Sequence, residues 1–420
     1  TTLFRSAGIW SISKYKEQNT EGVSGICYGG RLGLNYHLIP ELTLGVFAGY
    51  AVYDYNPEPF VKNTEIGLSL RYSLTKGLFS KNDVKITESN VKPLFPVFYS
   101  RYDDHSFGFV TFVNNEPNDI YDIHVYVYIE QYMTNATKAF EIPHAKRGET
   151  FTADLTAFLN ENILNNLSVS ETKAIVSVSY KSLGKRITVE EPMIFTTFNR
   201  NAMTWEDDRQ AAAFVSAKDV SASMFAKRVK AIVKDSLSSS VPENIQYAAA
   251  IFAALKEYGI NYVVDPSSAF TDNIGTASVD FLQFPYQTLR YHGGDCDDLT
   301  ILNCALLEAI GIETAFITVP GHIYMAFDSG LKPDESAKAG ECIVVDGKVW
   351  VPLEITLPQD SFALERQTGI RQWRKYNKDA KLLPLRECWS EFAPVAVPDS
   401  DIKLEHPSMQ VILREFKKQI

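Results

Sequence analysis

The feature that most constrains this chain is a change of hydrophobic period near residue 200. Before it, apolar and polar residues alternate with a period of two, the pattern of strands with one buried face. After Trp205 the apolar residues fall at helical spacing, and residues 207–235 and 241–258 read as helices. In the second of these Ile245, Ala248, Ala249 and Phe252 share one stripe, with Pro242 near its start and Gly259 past its end. A single layer of structure cannot satisfy both periods, so a sheet-built front and a mixed rear are expected. The length of 420 residues agrees, being enough for roughly two to four domains.

Within residues 1–76, Leu32, Leu34, Tyr36 and Leu38 alternate with Arg31, Gly33, Asn35 and His37. The alternation continues through Leu42, Leu44, Val46, Ala48, Tyr50 and Val52, and again through Ile66, Leu68, Leu70, Tyr72 and Leu74. Alternating segments of about ten residues with Tyr at their ends are a signature of outer-membrane β-barrel strands. A sheet with one wet face gives the same alternation. A membrane barrel takes at least about eight strands and about four are visible here, so the segment is read as the last strands of a barrel. Residues 77–84 form a polar linker. From 85 to 198, strands are expected at 94–101, 107–114, 121–130, 150–157 and 173–181. Turn clusters such as Asn114-Asn115-Glu116-Pro117 part them, which implies an immunoglobulin-like β-sandwich. His105, His124 and His144 lie here without metal-ligand spacing and are read as structural.

The 21 Tyr and 25 Phe fit pleated, half-buried surfaces. A formal charge of -10 without a Lys/Arg-rich run argues against nucleic acid as a partner. The five cysteines are widely spaced and form no CxxC pair, so neither a zinc ribbon nor a disulfide framework is expected. No run of apolar residues is long enough for a membrane-spanning helix. The chain starts at Thr1 without a secretory leader and is read as an internal or processed segment.

The chemistry concentrates in residues 284–328. Gly293 and Gly294 permit a close backbone approach. Cys296 then opens a helix whose Leu299, Leu302, Leu306 and Ala309 form a stripe that Gly311 ends. A thiol at a helix N-terminus meets unpaired N–H groups and the positive end of the dipole, which favour thiolate, and the same amides can face an oxyanion. Asp295, Asp297 and Asp298 oppose this by like charge, and one of them is expected to cap the helix as part of a solvated cluster. Thr314–Val319 is a short strand, Pro320-Gly321 turns the chain, and His322 begins the next strand, where it can return to Cys296 as its base. Of the acids that follow, Glu354 is a lone carboxylate among apolar neighbours and needs a partner, which makes it the best orienter of His322. Asp328 lies too far along the His322 strand, and Asp346-Gly347 reads as a hairpin turn. Cys304, Cys342 and Cys388 read as structural. His292 is expected on an exposed turn, and Trp205, Asp207 and Asp208 are expected to pack or cap the first helix.

The run GGDCDDLTILNCALLEAIGIETAFITVPGHIYMAF resembles the core of the transglutaminase-like superfamily. Gly294, Cys296, Gly311, His322 and Trp350 to Glu354 follow that family's order, over about residues 200–395. The resemblance implies a papain-like α+β domain with Cys-His-acid chemistry, so the whole chain is expected to be multidomain: an antiparallel β segment, a β-sandwich, the catalytic domain at 200–395 and a helical extension at 396–420. It implies a cysteine hydrolase, a peptidase or transglutaminase-like acyltransferase that acts on amide bonds of a protein or peptide substrate. Two departures stand out: Glu354 replaces the family's usual Asp, and Tyr324 stands where a Trp is common. For the oxyanion, papain-like enzymes place a polar donor upstream of the Cys, and Gln287 is named for it, with Gln283 as the other choice. No cofactor is called for, although the acids around Cys296 resemble in part those of calcium-dependent periplasmic cysteine proteinases; no EF-hand spacing accompanies them. If residues 1–76 are barrel strands, the rest lies at the periplasmic face of a bacterial outer membrane. The rival expectation is a non-catalytic envelope scaffold that uses the same fold as an interaction module.

Overall fold

The computed structural model describes residues 2–12, 23–39, 42–53, 61–72, 83–264 and 279–420. Leu74 and most of the expected 77–84 linker lie outside them. The chain separates into two compact units, Thr1–Asp83 and Val84–Ile420, and the whole is a mixed α/β protein of several sheets.

In the first unit the period-two segments form a four-stranded antiparallel meander in chain order: Thr2–Ile12, Val23–Ile39, Leu42–Tyr53 and Val61–Tyr72. Its register aligns Leu34 with Val46 and Val46 with Leu68, and pairs Leu44 with Leu70. All of these side chains are exposed, as are Tyr50 and Ile66, with Leu68 at 85%. The exposed face is therefore the apolar one, the reverse of an ordinary wet face. On the other face Gly33, Phe47 and Gly67 fall in one cross-strand row. The Phe47 ring fills the place where a Cβ on Gly67 would stand, so it covers the glycine that no side chain protects.

The second unit begins with two antiparallel sheets. One has three strands, Val84–Val91, Gly108–Asn114 and Thr150–Asp154. The other has four, in the order Lys185–Thr197, Ser170–Ser182, Ile120–Tyr128 and Thr137–Ala145. Alternate residues of both, such as Val110 and Phe112 against Val125 and Val176, meet in one core. The strand expected at 94–101 is instead a 3-10 helix, Pro96–Asp103. Pro96 has no N–H for a ladder and suits a first helical turn, and only Leu94 keeps a bridge, to Thr197. His105, His124 and His144 each pair with a nearby aspartate, Asp104, Asp122 and Asp119, at 2.6, 2.8 and 3.2 Å.

Beyond residue 200 the helical period is realised, with one interruption. The expected 207–235 helix divides into a 3-10 turn, Asp208–Phe214, and an α-helix, Val220–Val233. Asp219 causes the break, because its carboxylate caps the second piece through Ala222 N (2.9 Å) and also holds Tyr286 N (3.2 Å). The next helix, Glu243–Tyr258, ends at Gly259 in the left-handed conformation (φ 91°). A five-stranded antiparallel sheet follows, ordered Ile343–Val345, Lys348–Leu353, His322–Asp328, Thr314–Val319 and Lys381–Pro384. Period two divides its faces. Phe316, Ile323, Met325 and Phe327 join the main core with the Cys296–Ala309 helix, while Ile317, Tyr324, Ala326 and Trp350 pack with Ile370 of the Phe362–Tyr376 helix. The C-terminal helix, Met409–Gln419, lies within the expected 396–420 extension and buries Ile412 and Phe416 in the main core.

Candidate active site

Cys296 is the first residue of its helix, as its spacing predicts, and Asp295 is the N-cap. Two glycines make this position reachable. Gly293 and Gly294 pair in parallel with Asn261 and Tyr262, and a Cβ on Gly293 would stand 2.9 Å from Asn261 O. A Cβ on Gly294 would stand 2.4 Å from Asp298 Cβ, so the glycines serve a close approach of two backbones and of an acid. The preceding His292 has positive φ and stacks on Tyr258 with ring centroids 4.5 Å apart, which ties it to that helix end. The Cys296 helix is buried on nearly every side, with Thr300, Ile301, Cys304 and Leu307 interior as well as the predicted stripe.

Cys296 itself is 5% exposed. Burial, then the Asp297 and Asp295 carboxylates, push its thiol up, and the amides of Ile323 and Asp297 pull it back only in part. The helix N-terminus alone would predict the opposite direction; desolvation and like charge outweigh it here. The Ile323 amide belongs to the residue after His322, so the sulfur lies against the start of the His322 strand. Thr300, one turn along the helix, reaches Ile323 O at 3.5 Å. Cys304 and Cys388 are buried thiols in the core, and Cys342 is half-buried.

His322 stands at the hairpin end where it pairs with Val319, after Gly321 turns with φ 71°. Its Nε2 lies 2.9 Å from Glu354 Oε2, and its ring stacks on Tyr324, centroids 5.7 Å apart, whose hydroxyl donates to Gly369 O. Glu354 is the first residue past its strand, not within it, and is 1% exposed. Gln372 Nε2 donates to the same Oε2 at 2.7 Å, while Thr356 donates to Oε1 from Oγ1 at 2.7 Å and from N at 3.2 Å. Burial alone would raise this carboxyl, but the His322 and Thr356 hydrogen bonds and the His322 charge hold it below the usual value. Gln372 reaches it because Gly369 lets the Phe362–Tyr376 helix approach the strand end, where a Cβ would stand 3.0 Å from Leu353 N. Glu365, 2% exposed and beside Glu354, is pushed well above the ordinary range by burial and by Glu354 itself, so Glu354 keeps the negative charge of this corner.

The expected solvated cluster is buried instead: Asp295, Asp297 and Asp298 are 8%, 3% and 5% exposed, with carboxylate oxygens within 4.8 Å of one another. Asp295 and Asp297 accept from Asp298 N, so the capping part of the expectation holds. Burial and the neighbouring acids hold Asp297 well above its ordinary range, and Asp298 is pushed up to about 8 for the same reasons. Foremost among the described charged groups that act on Asp297 are the carboxylates of Asp295, Asp298 and Asp280. Asp280 comes from the Val279–Phe281 strand and accepts from Trp205 Nε1 at 2.7 Å. Gln283, whose N–H donates to Asp298 at 2.7 Å, has a buried side-chain oxygen without a hydrogen-bond partner among the described residues. A converging set of hard oxygen donors of this kind fits a calcium-like cation.

Gln287, named for the oxyanion, has a capping role in the structure. It occupies the third position of the Pro285–Tyr291 helix, where its Oε1 accepts from Phe284 N at 2.8 Å and from Asn201 Nδ2 at 2.7 Å. Its amide oxygen caps that helix and ties it to Asn201, while its Nε2 lies 3.5 Å from Asn201 Oδ1. Asp207 caps the Asp208–Phe214 turn, and Asp346 and Gly347, both at positive φ, make the hairpin turn as expected. Tyr262, Thr356 and Gln372 were not anticipated. Thr356 could have been found from its two-residue spacing to Glu354, a common local hydrogen-bond pattern. Tyr262 stands on the strand beside Gly294, and its phenol is pushed up by burial and then by Cys296, Asp295 and Glu354, so it borders both ends of the site. No protein-family model matches the chain, and no curated protein matches it.

Proposed function

We propose that the chain is a papain-like cysteine hydrolase of the transglutaminase-like kind, acting on amide bonds of a protein or peptide through an acyl-enzyme. The observation that carries this reading is the His322 Nε2 to Glu354 Oε2 hydrogen bond of 2.9 Å, made beside a helix that starts with Cys296. With Nε2–H donated to Glu354, the neutral imidazole has its lone pair on Nδ1, the nitrogen that would take the thiol proton. Cys296 Sγ would then attack the amide carbonyl carbon, with the helix-start amides facing the oxyanion. Breaking the C–N bond releases the amine with a proton from His322, and leaves a thioester on Cys296. Water, deprotonated by His322, would attack the thioester to free the acid and the thiol; an amine in the same place would give transfer. Hydrolysis is preferred on the resemblance to bacterial peptidases.

Because the thiol is pushed up, thiol deprotonation has to be coupled to His322 and not stored as a standing thiolate. Asp295, Asp297 and Asp298 would hold a hard divalent cation such as calcium, whose charge would offset the carboxylates that oppose the thiolate. The apolar exposed face of the first unit supports outer-membrane association, with the second unit on the periplasmic side. The 5% exposure of Cys296 favours the second reading, a scaffold without turnover. A thiol-reactive epoxide of the papain-inhibitor type separates the two. The enzyme reading expects Cys296 to be labelled ahead of Cys304, Cys342 and Cys388, and Cys296→Ala to abolish peptide turnover. Equal labelling of all four, or unchanged turnover in Cys296→Ala, would leave the scaffold.

A further inference from the structure

A cleft of about 720 Å³ opens in the second unit where the two small sheets meet the mixed α/β part, with Asp207 and Val279 in its wall and without Cys296, His322 or Glu354 among its lining residues. Its walls are aromatic. Phe95 stacks on Phe198 with centroids 4.8 Å apart, and Phe98 meets Phe392 edge-on at 5.5 Å. Clefts of this size with apolar walls and a few charged groups are the usual form of a small-molecule site.

The charges in it are of both signs and are incompletely used. Arg101 lies over the Phe392 ring at 4.9 Å. Its Nε is buried without a hydrogen-bond partner among the described residues, and its nearest carboxylate, Glu391, stands at 3.6 Å, beyond a hydrogen bond. The Arg101 side chain as a whole is 28% exposed, so donors that Glu391 does not meet can take an anion in the cleft. Lys92 lines the same cleft and has no ion pair among the described residues. Of the two lining acids, Asp207 is taken up by Arg209, which donates to it from Nε at 3.0 Å and from a terminal nitrogen at 2.7 Å. Glu206 has no ion pair among the described residues and is exposed.

We propose that this cleft binds a small zwitterion with an aromatic body, of the class of an aromatic amino acid, its carboxylate on Arg101 and Lys92 and its ammonium on Glu206. The ring would lie among Phe95, Phe98, Phe198 and Phe392. A neutral apolar ligand would leave the charges of Lys92 and Glu206 unmet, and a simple anion would leave that of Glu206 unmet. The inference does not depend on the reading of Cys296.

Calorimetric titration of the full chain with four probes tests it: L-phenylalanine, 3-phenylpropanoate, 2-phenylethylamine and 3-phenylpropan-1-ol. The expected order places L-phenylalanine first and the alcohol last. Arg101→Met should weaken L-phenylalanine and 3-phenylpropanoate by about tenfold or more but leave 2-phenylethylamine alone. Glu206→Gln should weaken L-phenylalanine and 2-phenylethylamine and spare the propanoate. If Arg101→Met does not fold, Lys92→Met at an exposed position carries the anion arm. No binding of any probe at millimolar concentration would overturn the proposal, as would affinities that Lys92→Met and Glu206→Gln leave unchanged.

Discussion

Glu354→Gln is the sharpest test of the His322 pair. The wild-type carboxylate accepts from four donors: His322 and Gln372 on Oε2, and Thr356 N and Oγ1 on Oε1. A glutamine keeps the shape but must turn its NH2 toward one pair. Facing Thr356, it meets a backbone N–H that cannot turn away. Facing His322, it makes Nε2 the acceptor and moves the ring proton to Nδ1, the tautomer that cannot take a thiol proton. Either way one or two buried donors lose an acceptor, at about 1–3 kcal/mol each. The imidazolium formed on proton transfer also loses a charge-assisted hydrogen bond worth about 1.5–3 kcal/mol, or about ten- to a hundredfold in rate. The assay is the rate of Cys296 alkylation by iodoacetamide at neutral pH, read by peptide mass spectrometry with Cys304 as internal reference, beside a thermal melt. Glu354→Gln should alkylate more slowly by that factor and melt lower. Glu354→Asp, which keeps the charge but is one methylene short, should fall between. Alkylation of Glu354→Gln at the wild-type rate, with His322→Ala slow, would refute the assignment of Glu354 as the group that holds the base.

Gly294→Ala would set a methyl 2.4 Å from Asp298 Cβ and 2.7 Å from its Oδ2, so a loss of about 1–3 kcal/mol in urea unfolding is expected; unchanged stability would contradict the close approach. Asp219 is pushed by burial up to about 6 from 3.8, and a folded value above the unfolded one means that its stabilisation is full below 3.8 and is lost as pH rises through about 6. Asp219→Asn can keep the cap on Ala222 N but turns an NH2 toward Tyr286 N, so the pH dependence is the test: the stability of Asp219→Asn relative to wild type should rise by up to about 3 kcal/mol between pH 3.5 and pH 7.5, and a difference that is equal at both would sink the argument. Calcium added to chelator-treated protein should raise the melting temperature, by the equivalent of about 2.7 kcal/mol at a hundred times its dissociation constant. Asp297→Asn should remove that response, and a wild-type melt indifferent to calcium would dismiss the acid cluster as a cation site.

What could be read along the chain was what local chemistry marks. Cys296 is legible because two glycines and a capping aspartate announce a helix start, and His322 because Pro320-Gly321 announces the turn before it. Glu354 is legible because a lone acid in an apolar run must find a partner. The helix Glu243–Tyr258 followed from Pro242 and Gly259, and the meander of the first unit from period two alone. Pro96 misled the reading of 94–101, since an apolar, aromatic run looks like a strand until its missing N–H is weighed.

Tertiary structure decided everything that depends on distance from water or on partners remote in the chain. Gln372 meets Glu354 across 18 residues because Gly369 lets a helix close on a strand end, a packing event without a local signature. Gln287 reads as an oxyanion donor from its place upstream of Cys296, and packing adds a helix-capping role that this place does not announce, its Oε1 accepting from Phe284 N and from Asn201, 86 residues away. Asp295, Asp297 and Asp298 read as a wet cap; the fold buries them with Asp280 of the Val279–Phe281 strand nearby, and burial with mutual repulsion favours their protonated forms. Sequence thus determined which side chains carry chemistry and which elements bear them. Folding determined their charge states, because the energy of a charge depends on the dielectric and the neighbours that only packing supplies.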